Sequence, residues 1–140
     1  MKLLKSLLLA GLLLLVSSVL YAQDYSGTWI GHVTESISHC KELGKAEVGE
    51  YRLTITQKGN EIIIMENVVQ RPYTGVLNPQ TPGEVHVQAT YRSRGGYVSD
   101  LVDIKFTDEN SGSGRGVWGW SDGWYQCGGS YQFTLQKKRP

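Results

Sequence analysis

Helical periodicity is nearly absent from this sequence beyond residue 23, which argues against a helical architecture. An excess of either charge is missing as well. The 14 Lys+Arg stand against 13 Asp+Glu, so nothing electrostatic points to nucleic acid or an anionic surface as partner. There are only two cysteines and three histidines, with no CxxC and no HExxH. That leaves no ligand set for a metal. His32 and His86 fall in alternating stretches, and His39 beside Cys40 has no companion ligands near it. Neither a Ser–His–Asp pattern nor a phosphate-cradling glycine loop opening a helix is present, and no cofactor is implied.

The one long apolar run lies at the start. Met1 to Lys5 is a short cationic head, Leu7 to Val16 is almost wholly apolar, and Ser17 to Ala22 ends on a small residue. This is the pattern of a secretory signal, with cleavage expected after Ala22. The run is too short and wrongly flanked for a stable membrane span. Residues 1–22 are therefore read as a signal peptide and 23–140 as one domain, exported to a periplasm or to the outside of the cell.

What is abundant is alternation of period two. Tyr51, Leu53 and Ile55 share one face, with Arg52, Thr54 and Thr56 on the other. Val85, Val87, Ala89 and Tyr91 repeat this, as do Val102–Phe106 and Tyr131–Leu135. One buried and one wet face is the mark of antiparallel sheet. Turn signals punctuate the runs at Lys58-Gly-Asn60, Asn78–Gly83, Ser93–Gly96, Asp108–Gly112 and Asp122-Gly123. Eight strands are expected, at 26–36, 49–57, 61–68, 72–77, 84–92, 97–107, 114–121 and 124–137. The fourth is the weakest, because Pro72 removes a donor and Gly75 lowers strand preference. Hairpin-length connections suit an all-β, up-and-down barrel, which removes exposed edges by closing. A two-sheet sandwich would need longer crossing connections.

Cys40 and Cys127 bear on closure without appeal to strand propensity. In an exported chain an even pair favours one intramolecular bridge. It would close a loop of roughly 88 residues, worth about 4–5 kcal/mol on a chain-entropy account. In an eight-strand meander both cysteines fall at one rim, on the first and last strands. Those strands are neighbours only if the sheet closes.

Asp24-Tyr-Ser-Gly-Thr-Trp-Ile-Gly31 opens the first strand. Gly27-x-Trp29 at that place, in an exported all-β chain, resembles the lipocalin-type barrels and their calycin relatives. The resemblance implies that the Trp29 indole plugs the closed base and that a basic residue near the end of the last strand packs on it. Lys137, Lys138 and Arg139 are the candidates.

If Trp29 closes the end that holds the termini, the opposite rim is the mouth. It carries the 37–48 segment, Arg71-Pro72-Tyr73, Arg94–Tyr97 and Ser121–Tyr125. Loops held by a rigid scaffold and barrel mouths are common binding places. Trp118 and Trp120 share parity with Gly114 and Gly116, so they either line a hollow or fill a small core. The expected ligand-binding set is Tyr73, Arg94, Tyr97, Trp118, Trp120 and Trp124, around a small, largely apolar molecule. The alternative is an extracytoplasmic protein bound or inhibited through the rim loops over a filled interior. An enzyme ranks third. Asp100 and Asp103 differ in strand parity, against a paired carboxylate site, and Asp122 reads first as a turn former.

Overall fold

The computed structural model describes residues 23–41 and 47–140. The expected signal peptide lies outside the described residues, as do residues 42–46 of the 37–48 segment. Eight strands follow one another: β1 (Gly27–Ser38), β2 (Gly49–Lys58), β3 (Glu61–Glu66), β4 (Arg71–Leu77), β5 (Glu84–Ser93), β6 (Gly96–Phe106), β7 (Ser111–Ser121) and β8 (Gln126–Lys137). Each pairs antiparallel with the next, and β8 pairs with β1, so the sheet is a closed meander barrel. Among the described residues there is no helix, and hence none long and apolar enough to cross a membrane.

The expected strand bounds hold to within about three residues, the ordinary latitude of strand ends. The largest departure is β7, which begins at Ser111 rather than at residue 114. Gly112 and Gly114 weaken local strand preference, but ladders to both β6 and β8 fix that stretch from either side. The β3 strand ends at Glu66, because both Glu66 carboxylate oxygens accept backbone N–H groups, from Val68 and Val69, and turn the chain.

Closure is direct. The β1–β8 ladder runs from Trp29↔Lys137 to Ser38↔Gly129. Cys40 and Cys127 form a disulfide at its far end with their α-carbons 5.2 Å apart. Their sulfurs meet because of an irregularity in β1. Trp29, Gly31 and Val33 face inward, and then the β8 register shifts between Val33 and Glu35. One extra residue reverses the alternation, so Ser36, Ser38 and Cys40 carry the inward parity afterwards.

The base is plugged as the resemblance implied. Trp29 is fully buried, and its indole N–H donates to the Tyr25 carbonyl at 2.8 Å. Tyr25 stacks on Phe106 with ring centres 3.9 Å apart. Burying Phe106 alone contributes roughly 1.5–3 kcal/mol. Ile55, Ile62 and Val85 complete this layer. Of the three basic candidates, Lys137 takes the place over Trp29, its Nζ 5.8 Å from the ring centre, within reach of a cation–π contact.

Candidate functional site

Above the plugged base the barrel is hollow. A cavity of about 380 Å³ lies between the base layer and the disulfide rim, within the range of small-ligand pockets. Its lower wall is apolar, formed by Leu53, Ile64, Val87, Val102, Ile104 and Leu135. Its upper part is aromatic and polar, with Tyr51, Tyr73, Tyr91, Trp118 and Tyr131 around Asp100. Arg71 and Glu66 stand at the β3–β4 end of the mouth.

Asp100 is the least expected member. It is 3 % exposed, on the inward face of β6 between Val98 and Val102. The Tyr73 and Tyr131 hydroxyls both donate to its Oδ2, each at 2.9 Å. Its Oδ1 is buried and, among the described residues, accepts from no group. Among the described residues no lysine, arginine or histidine forms an ion pair with it within 4 Å. Burial raises the Asp100 proton affinity above the ordinary carboxyl value; the two phenol hydrogen bonds and the Arg71 charge offset part of this. Burial, and then the Asp100 charge, hold both phenols well above the usual tyrosine range. They are therefore donors throughout the physiological range.

The three partners come from distant parts of the chain, and β7 lies between two of them. Asp100 on β6 is opposite Trp118 on β7, and Tyr131 on β8 is opposite Gly116. The Tyr131 ring reaches β6 by lying across Gly116. A Cβ on Gly116 would sit 2.1 Å from the Tyr131 Cζ, so only glycine allows the crossing. Trp118 is seated in the same manner over Gly129 of β8, where a Cβ would stand 2.7 Å from the indole Cζ2.

On the other side, Arg71 lies over Tyr91 with its guanidinium carbon 3.3 Å from the ring centre. The β4–β5 ladder pairs Thr74↔Gln88 through Leu77↔Val85 and goes no further toward the mouth. Pro72, with no N–H to donate, sits opposite Met65 of β3 in the part of β4 that has no ladder to β5. There the two strands are joined by the stacked guanidinium instead of by backbone.

The six residues expected at the mouth separate into three groups. Tyr73 and Trp118 line the cavity. Trp120 is buried beside Cys40 and Val98, with its indole N–H donating to the Ser93 carbonyl at 2.8 Å. Arg94, Tyr97 and Trp124 point elsewhere. Arg94 occupies the β5–β6 turn with φ +46° beside Gly95 at +80°, the backbone a two-residue hairpin demands. Tyr97 is on the outer wall opposite Arg92, whose guanidinium carbon is 5.4 Å from its ring centre. Trp124 is 98 % exposed at the β7–β8 tip. Asp122 holds that tip, its Oδ1 accepting the N–H groups of Trp124 and Tyr125, each at 2.8 Å. These bonds lower its pKa. Asp103 faces outward and meets His86 at 2.5 Å.

Chemically, the arrangement offers an apolar well with one carboxyl group set in its aromatic upper part. That group can accept from a donor or hold a proton. No family model matches the chain, and neither a curated protein nor a solved structure matches it.

Proposed function

We propose that this chain is an exported, lipocalin-like barrel that holds a small, largely apolar molecule in its interior, admitted at the disulfide-bearing rim. The observation that carries this reading is the cavity of about 380 Å³ between a tightly filled base and the mouth. An eight-stranded barrel can be packed solid by its own side chains, and this one is packed only below. The wall residues Leu53, Ile64, Val87 and Val102 would supply apolar contact, and Tyr73, Tyr131 and Trp118 flat aromatic surface. Export is supported by the leader-like segment and by the disulfide, which oxidising compartments favour.

A second reading has its own support. Trp124, almost fully exposed on a tip fixed by Asp122, is the residue type that anchors protein interfaces. Native mass spectrometry of the protein purified from its own host separates the two. A co-purifying small molecule that an apolar fluorophore displaces supports the interior site. A bound protein lost on Trp124→Ala supports the rim, and neither species together with no uptake of fluorophore refutes the interior site.

A further inference from the structure

We propose that the cavity is a receptor for an organic ammonium: a small amphiphile whose protonated amine donates to the free Oδ1 of Asp100 while its apolar body points toward the base. This rests on the reading of the barrel as a small-molecule carrier and names the chemical class it takes.

The first ground is the unused oxygen. Oδ2 of Asp100 takes two phenol hydrogen bonds and, among the described residues, Oδ1 takes none, although the residue is 3 % exposed and faces the cavity. Buried polar atoms are nearly always satisfied, and leaving one without a donor is costly. The two phenol hydroxyls that reach the carboxylate both point at Oδ2, and the Arg71 guanidinium carbon stands over the Tyr91 ring, 3.3 Å from its centre.

The second ground is the sign of the field. Among the described residues the cavity wall contains two carboxylates, Asp100 and Glu66, against one cation, Arg71. An anionic head group at the depth of Asp100 would meet like charge in an apolar setting, where repulsion is strong. A cation there meets a carboxylate and the faces of electron-rich rings. Tyr73, Tyr131, Tyr91 and Trp118 are the ring types that attract ammonium groups, the more so when desolvated.

The third ground is the layering along β6. From the mouth inward its buried face reads Val98, Asp100, Val102, Ile104, Phe106. A head group at Asp100 therefore leaves the apolar well formed by Val102, Ile104, Leu53 and Leu135 for the rest of the molecule. Charge and hydrophobicity are arranged for an amphiphile entering tail first.

The test uses octylammonium, 1-octanol and octanoate, three chains of similar length differing in head group, titrated calorimetrically into the disulfide-bonded protein at pH 7. Octylammonium is expected to bind at least about tenfold more tightly than the other two, as a charge-assisted hydrogen bond requires. Asp100→Asn is expected to remove that preference, bringing octylammonium binding down to the level of 1-octanol. Equal binding of ammonium and alcohol overturns the head-group inference while the carrier reading stands. Tightest binding of octanoate overturns it in favour of Arg71 as the anchor. No binding of any of the three, with no uptake of an apolar fluorophore, overturns the carrier reading itself. The wild-type series decides the matter even if the variant does not fold.

Discussion

Tyr131 reaches Asp100 by passing over a strand that lies between them. The phenol leaves β8, crosses β7 where Gly116 has no side chain, and donates to a carboxylate on β6 at 2.9 Å. One missing methyl group thus decides whether the floor of the polar layer can form.

Gly116→Ala is expected to destabilise the fold by about 1–3 kcal/mol, the usual cost of overpacking. The new Cβ would sit 2.1 Å from a ring carbon whose far end is held by Asp100. Replacing the ring as well, with Tyr131→Leu in the same chain, should recover part of the loss. Urea unfolding of both single variants and the double variant measures this coupling; strictly additive effects would refute the crossing.

The pH dependence of stability carries a sign. Asp100 has a raised proton affinity in the folded state, so the native protein holds that proton more tightly than the unfolded chain does. Its contribution is therefore most favourable below the unfolded carboxyl value and declines as pH rises through the folded one. Tyr73 and Arg71 from β4, Tyr91 from β5 and Tyr131 from β8 surround it, with Glu66 in the same cavity. Asp100→Asn lacks the titration. The melting temperature of the wild type minus that of the variant should fall from acid toward neutral pH, and a flat difference between pH 3 and 7 would refute the assignment.

Arg71→Ala should cost roughly 1 kcal/mol, within the range of cation–π contacts. The effect should be local. Amide hydrogen exchange is expected to quicken at Arg71 and Tyr73 and at Ala89–Ser93, where β4 and β5 share no ladder, and to stay unchanged in β6 and β7. Arg71→Lys should not restore protection, since an ammonium cannot lie flat on the Tyr91 ring. Full protection in the lysine variant would speak against stacking as the cause.

Replacing Cys40 and Cys127 together by serine should lower stability by about 2–5 kcal/mol. The β1–β8 ladder still runs from Trp29 to Ser38 without the bridge, so the barrel should remain closed. A denaturant midpoint unmoved by the double substitution would count against the bridge as a stabilising link.

Much of the architecture could be read from the chain alone. Alternation is local, so the inward faces of β2, β5, β6 and β8 follow from counting by two. Closure followed from two cysteines whose positions make sense only with β1 beside β8. The lining of the cavity was legible in part. Tyr73 and Trp118, expected near the mouth, line the cavity, whereas Arg94, Tyr97 and Trp124 share that neighbourhood in sequence but face outward or sit in turns. Asp100 carried a usable signal, being the lone acid in the alternating row Val98, Val102, Ile104, Phe106. Its parity differs from that of Asp103, so no carboxylate pair marks it in the sequence. Its partners could not be foreseen, because Tyr73 and Tyr131 are 27 and 31 residues away and meet it only through strand register.

The extra residue in β1 has a bearing on how this chain is compared with others. Below Val33 odd numbers look into the barrel, and above Glu35 even numbers do. A gapless alignment to a sequence lacking that insertion would match every interior position of the upper strand to an exterior one. It would set Cys40 against a solvent-facing neighbour and miss the half-cystine altogether. Profiles built for kindred chains should permit a single-residue gap at Thr34.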